Sequence, residues 1–226
     1  MSADPAAALD AAARMKLETI LGLLAEERAS VSSVVDGRAW QVHVLDSLTG
    51  LEVHELREAG RIADVGAGAG FPGLVLAVAL PEASVDLVES VGRKCEFMRR
   101  AIEAAGIANA NVLDTRSEDL ASAYGREAYD AVSARAVGRL STLAELASPL
   151  LKPNGVLVAW KGKLDAEEER QLANAAEALA MSPERVLDVG DRAGSAHRHL
   201  HVVRKTGPTP DNLPRKPGIA KKRPKG

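Results

Sequence analysis

From Arg61 onward, short apolar runs alternate with segments whose apolar residues recur every three or four positions. That alternation is the pattern of strands and helices wound around a parallel sheet. It predicts strands near 61–65, 84–89, 110–113, 129–134, 154–160, 184–189 and 198–204. Helices are predicted over 72–80, 92–106, 117–123, 139–151 and 164–180. The last two strands are separated only by the turn Gly190-Asp191-Arg192-Ala193-Gly194, so they should pair antiparallel. Before Arg61 the pattern is helical throughout. Asp4-Pro5 reads as an N-cap followed by proline at the first helical position, opening an amphipathic helix over 5–29 with Leu9, Ala13, Leu17, Ile20, Leu21 and Leu24 inward. Short helices are expected over 38–58. Beyond 205, proline, glycine and lysine dominate, and this tail is expected to be mobile until something binds it. The chain thus divides into an N-terminal helical extension (1–58), an α/β domain (59–205) and a basic, flexible tail (206–226).

Composition narrows the class. A chain of 226 residues, 46% hydrophobic and 27% charged, can bury one sizeable core. Its longest apolar run, 74–80, is too short to span a bilayer, and the N-terminus lacks the basic start of a signal peptide, so no membrane and a cytoplasmic location are expected. Cys95 is the only cysteine, which excludes an internal disulfide framework. The net charge of −2 is unevenly spread: the tail carries +5, leaving −7 on the other 205 residues. A basic tail on an acidic body suits a contact with phosphates. The six aromatic residues are too few for a broad base-stacking platform.

The densest chemical signal ends the first predicted strand: Asp64-Val65-Gly66-Ala67-Gly68-Ala69-Gly70-Phe71-Pro72-Gly73. Alternating glycines permit a tight turn and let a ligand lie against the main chain. Glu89 ends the second strand, where a carboxylate can accept both hydroxyls of a ribose. Two ligands compete. Gly68 to Gly73 satisfies G-x-G-x-x-G, which admits NAD and a dehydrogenase. Asp64 just before the glycines instead suits the ammonium of an amino-acid moiety, as in S-adenosylmethionine (SAM). Ser117 and Glu118, after the third strand, either read an adenine edge or cap and charge the start of a helix. His197, His199 and His201 share one face of a strand but lack a cysteine or carboxylate cluster, so no metal is expected.

Four further pieces stand beside the loop: His43-Val44-Leu45-Asp46-Ser47-Leu48, Tyr129-Asp130-Ala131-Val132-Ser133-Ala134-Arg135-Ala136, Trp160-Lys161-Gly162 and Arg198-His199-Leu200. Together with the loop they closely resemble the RsmG (glucose-inhibited division protein B) family of bacterial small-subunit rRNA guanine-N7 methyltransferases. Thr209-Pro210-Asp211-Asn212-Leu213-Pro214-Arg215-Lys216-Pro217-Gly218 extends the resemblance, with Leu213 where the family usually shows tyrosine and Ala220 where it usually shows proline. The resemblance implies a class I SAM-dependent methyltransferase, Rossmann-like, with a mostly parallel seven-stranded sheet ending in an antiparallel hairpin. It implies methylation of N7 of one guanine in the 530 loop of 16S rRNA. Scarce aromatics on an acidic body suggest that a structured particle, a small ribosomal subunit or assembly intermediate, supplies much of the recognition, with a monomer the default for an enzyme that docks on it. Asp64, Gly66, Gly68, Gly70, Phe71, Glu89, Ser117, Glu118 and Arg135 are the expected cofactor positions. Arg93, Lys94, Arg116, Lys161, Arg198, Arg215 and Lys216 are the expected RNA contacts, with Arg135, Lys161 and Arg198 nearest the chemistry. Other readings are a methyltransferase of another RNA or small molecule, an NAD-dependent dehydrogenase, and a non-catalytic ribosome-assembly factor. Guanine N7 carries a free lone pair, so no general base is required.

Overall fold

The computed structural model describes residues 5–27, 32, 34, 37–190 and 197–226. Seven strands form one sheet in the order β3-β2-β1-β4-β5-β7-β6. They are β1 (Arg61–Val65), β2 (Ser84–Glu89), β3 (Ala110–Asp114), β4 (Tyr129–Arg135), β5 (Leu151–Lys161), β6 (Met181–Asp188) and β7 (His199–Lys205). The first five are parallel, and β7 lies antiparallel between β5 and β6. The predicted strands and terminal hairpin are all present; four of the five residues in the predicted hairpin turn, 191–194, lie outside the described residues.

The N-terminal helix starts later than expected. Asp4 lies outside the described residues, and Pro5–Ala8 form a 3-10 turn. Helix α1 (Ala11–Glu26) is capped by Asp10, whose carboxylate accepts from Ala13 N–H at 2.7 Å. That side chain satisfies one of the four N–H groups that open a helix without a partner. Leu17, Ile20 and Leu24 are fully buried. Each such side chain contributes roughly 1.5–3 kcal/mol of burial. A π-helical stretch, Trp40–Leu45, runs into α2 (Asp46–Leu48), a 3-10 turn Thr49–Glu52 and α3 (His54–Arg57).

Helices α4 (Gly73–Ala79) and α5 (Gly92–Ala105) share one core with α1, the 40–57 region and one sheet face. Helices α6 (Ser117–Ala123), α7 (Leu140–Ala147) and α8 (Ala166–Ala175) cover the other. The chain therefore leaves β1 toward one face and β4 toward the opposite one. In an open α/β sheet, the crevice between two such diverging loops is where ligands bind.

The tail, expected to be mobile until something binds it, lies against the domain through specific contacts. Arg126 donates to the carbonyls of Thr209 and Leu213 at 3.1 and 2.8 Å. Glu127 accepts from Thr209 N–H, and Leu213 is buried in the second core. Buried Glu145 holds Arg215 through two contacts of 2.5 Å. A last helical turn, α9 (Ile219–Lys222), packs Ala220 beside Thr142, whose hydroxyl reaches the Ala220 carbonyl at 3.3 Å. Lysine and proline content signals disorder only when no partner waits, and here Glu127 and Glu145 of the domain do.

Candidate active site

The loop between β1 and α4 turns on glycines at φ +68° (Gly66), +62° (Gly68) and +89° (Gly70), a region that side chains other than glycine enter at a cost. A Cβ on Gly66 would sit 2.7 Å from Val137, and one on Gly70 2.7 Å from Leu74 Cγ. At Gly68 the nearest atom, Gly66 O, would be an ordinary 3.8 Å away, so that position is uncrowded. The loop is both compelled to be glycine and bare where a ligand would lie.

Asp64, expected at an ammonium group, is placed differently. It is fully buried, with Oδ2 accepting from Gly73 N–H at 2.9 Å and Oδ1 from the Ser133 hydroxyl at 2.8 Å. A Cβ on Gly73 would come within 2.7 Å of Oδ2. Asp64 ties the far end of the loop to β4 rather than facing the cleft. Burial pushes its pKa up to about 6, against the opposing effect of those two hydrogen bonds. Ser133, its partner, was not among the expected site residues; the only trace in sequence was its place in the Ser-Ala-Arg-Ala strand end.

Glu89 ends β2 beside the glycine loop. Its Oε2 accepts from Gly68 N–H at 3.0 Å, and its Oε1 from Ser90 and Val91 N–H at 2.8 and 3.0 Å. These bonds fix the carboxylate at the edge of an open cleft of ≈ 740 Å³ counting its mouth. Oε2, with a single bond, retains acceptor capacity for a further donor. Residues 115–118 form the adjoining wall, which places Ser117 and Glu118 at the cleft together with Arg116, expected instead among the RNA contacts. Ser117 does not cap α6; Arg116 is the N-cap and makes no side-chain cap bond. Glu118 accepts a hydrogen bond from the Ser117 hydroxyl (3.2 Å) on one oxygen and from Gly218 N–H (2.8 Å) on the other. The tail thereby reaches the cleft, which Gly218, Ala220 and Lys221 also line.

A second cavity opens on the other side of Gly66, bordered by His43, Gly68, Phe71, Lys94, Arg135 and Ala136 among others. The His43 ring lies on Phe71 with centroids 4.5 Å apart and planes 16° apart. Arg135 donates through Nη1 to Val42 O and Asp46 Oδ2, both at 2.8 Å, and through Nη2 to His43 Nδ1 at 3.2 Å. Accepting at Nδ1 makes Nε2 the protonated nitrogen of neutral His43, directed at Val34 O at 2.9 Å. Burial holds the His43 pKa below its ordinary value. Arg198 brings Nε within 2.7 Å of Asp46 Oδ1, an ion pair whose angle falls short of a directed hydrogen bond. Arg135, Arg198, His43, Asp46 and Phe71 are thus one cluster, in which the Asp46 carboxylate faces both guanidinium groups.

Four expected contacts lie elsewhere. Lys161 pairs with Glu168 at 2.7 Å and donates to Gly138 O at 3.0 Å, lining neither cavity. Arg215 is committed to Glu145, and Lys216 is exposed beside it. Arg93 is exposed in the first turn of α5, next to Lys94 at the second cavity. Among the described residues no group of three His, Cys, Asp or Glu side chains is placed to hold a metal; His199 Nδ1 meets Gly162 O and His201 is buried.

A family profile described as rRNA small subunit methyltransferase G matches residues 23–200. The ribosomal RNA small subunit methyltransferase G of Rubrobacter xylanophilus is 44% identical over 186 residues, 80% of this chain and 71% of that protein. Proteins of the same name from Gloeobacter violaceus and Moorella thermoacetica are 39% and 32% identical, over 83% and 92% of this chain and 75% and 88% of theirs. Among solved structures, a SAM-dependent methyltransferase from Aquifex aeolicus superposes with a TM-score of 0.57 at 18% identity, covering 76% of this chain and 94% of its own. A SAM-dependent O-methyltransferase from Thermotoga maritima gives 0.60 at 14% identity, covering 85% and 73%. These structures fix the class I methyltransferase fold, and the sequence matches go further: the chain belongs to the rRNA small subunit methyltransferase G family.

Proposed function

We propose that this chain methylates N7 of a guanine in the 530 loop of 16S rRNA, using SAM. The carrying observation is that the two cavities meet at Gly66. One has an acid-edged wall suited to adenosine, and the other is bordered by Phe71, His43 and Lys94 and suits the incoming base. The bare glycine at 68 and the immobilised Glu89 fit the cofactor's main-chain approach and its ribose. When bound, SAM supplies a methyl group on a cationic sulfur.

The protein's contribution is positioning, which for two oriented reactants is worth about 7–11 kcal/mol. N7 brings its own lone pair, and His43, with both ring nitrogens engaged, serves as a neutral wall rather than a proton acceptor. Methyl transfer moves positive charge onto the guanine imidazole ring, so a guanidinium aimed at N7 would oppose it. Arg135 instead points into Asp46, Val42 O and His43, which makes it a positioning residue that holds the 40–48 segment over the loop. Lys94 and Arg116, each at one cavity, together with Arg93 and Lys216, supply charge for phosphate.

Segments 1–58 and 206–226 serve the 59–205 domain as walls of its site, a reading supported by the shared core and the tail's contacts. The substrate is read as a small ribosomal subunit or assembly intermediate in the bacterial cytoplasm, with the enzyme acting as a monomer. No described helix is long and apolar enough to cross a membrane. The test is transfer of labelled methyl from SAM to small subunits from cells lacking this enzyme, followed by mapping of N7-methylguanosine. One labelled guanine in the 530 loop is expected; label elsewhere, or none, would overturn the reading.

A further inference from the structure

We infer that the C-terminal stretch 218–221 is part of the cofactor site, closing its adenosine end, and that cofactor affinity depends on how firmly the tail is docked. The inference rests on reading the cleft beside Glu89 as the SAM site. Three observations carry it. Gly218, Ala220 and Lys221 border the same open space as Glu89 and residues 115–118. The tail's approach is fixed at the cleft itself, where buried Glu118 takes the Gly218 N–H at 2.8 Å while its other oxygen is held by Ser117. It is fixed again behind the cleft, where Arg215 joins buried Glu145 and donates to Arg223 O at 2.7 Å. Thr142, another cleft residue, reaches the Ala220 carbonyl.

The tail therefore does not fill the cleft; it stands as a wall to it. Gly218 turns at φ +81° with nothing within 4 Å of a would-be Cβ, so the chain arrives on a left-handed turn in open space. Val65, Val88, Val137 and Leu146 give the cleft an apolar lining, and Ala220 completes it from the tail. A flat heteroaromatic ring such as adenine is stabilised by apolar contact on both faces, and without the tail one side of this lining would be water. Whatever occupies the cleft and touches the tail must in turn hold the tail down, because coupling between two binding events is reciprocal.

The test uses the full chain and S-adenosylhomocysteine. Arg215→Ala removes a clamp that does not line the cleft, and Gly218→Ala strains the turn at its edge. Calorimetry is expected to show Kd raised about tenfold in each. Hydrogen exchange at residues 216–222 should be faster in both variants and, in the wild type, slower with saturating ligand. Two results would overturn the inference: exchange at 216–222 of the wild type unaffected by bound ligand, or a freed tail in Arg215→Ala with Kd within about twofold of wild type. If the wild type binds no S-adenosylhomocysteine, the reading of the cleft fails instead.

Discussion

Arg135, at the end of β4, and Asp46, on the segment before β1, meet at 2.8 Å with their side chains only 12% and 2% exposed. The same carboxylate faces Arg198 from the start of β7, so one buried acid serves two guanidinium groups. Removing one member of a buried pair typically costs about 3–5 kcal/mol, because the survivor is left without a counter-charge. Asp46→Ala should therefore lower the denaturation midpoint strongly. Asp46→Asn, which keeps an acceptor, should lower it less. Equal midpoints for wild type and Asp46→Ala would show that the pair adds nothing to stability.

Arg135→Lys keeps the charge and loses the fork. A single ammonium on a shorter reach cannot hold Val42 O, Asp46 and His43 together. Turnover is expected to fall at least about tenfold, equivalent to about 1.4 kcal/mol, with the circular dichroism spectrum unchanged. Wild-type turnover in the variant would remove Arg135 from the site.

Glu89→Gln replaces an acceptor-only group, bonded to three backbone N–H groups, by an amide that must present donors to some of them. Charge-assisted bonds of this kind are worth about 1.5–3 kcal/mol. Calorimetry should find S-adenosylhomocysteine bound at least about tenfold more weakly. An unchanged Kd would place the ribose elsewhere.

Asp64 gives the protein a pH signature. Its pKa of about 6 in the fold lies above the ~3.9 of an unfolded chain, so between these values the folded state holds the extra proton. Stability is thus favoured by the protonated acid below about pH 4 and lost as pH rises through 6, by about 3 kcal/mol in all. Asp64→Asn removes this titration. The wild type's stability relative to the variant should fall between pH 4 and pH 7; a constant difference across that range would refute the titration.

Gly50 is the least conspicuous prediction. A Cβ there would lie 2.5 Å from Trp160 Cζ2, and the Trp160 indole donates to Asp46 O at 2.9 Å. Gly50→Ala should destabilise by about 1–3 kcal/mol through overpacking and shift Asp46 with the ring. Thermal denaturation would reveal it.

The sheet, its terminal hairpin and the glycine loop were legible because each is written locally: apolar runs of fixed length, a missing helix, glycines where φ must be positive. What escaped was set by distant partners. Asp64 looked like a ligand for an ammonium because nothing near it in sequence announces Ser133, 69 residues on. Asp10, not Asp4, caps α1, since both offer a carboxylate and only packing of Leu17, Ile20 and Leu24 chooses between them. Lys161 read as a catalytic cation because Glu168 becomes its partner only after β5 turns into α8. The tail read as mobile because Glu118, Glu127 and Glu145, which fix it, lie 100, 82 and 70 residues away from the groups they hold.

Most of the bonds that hold the tail are made to its main chain: Arg126 to two carbonyls, Thr142 to another, Glu127 and Glu118 to amides. A backbone offers those groups whatever side chain it carries. Away from Leu213, Arg215 and Gly218, whose own side chain or backbone turn is needed, the segment can therefore change its side chains and the strap stays buckled. A segment secured in this way can diverge among relatives faster than its importance would suggest.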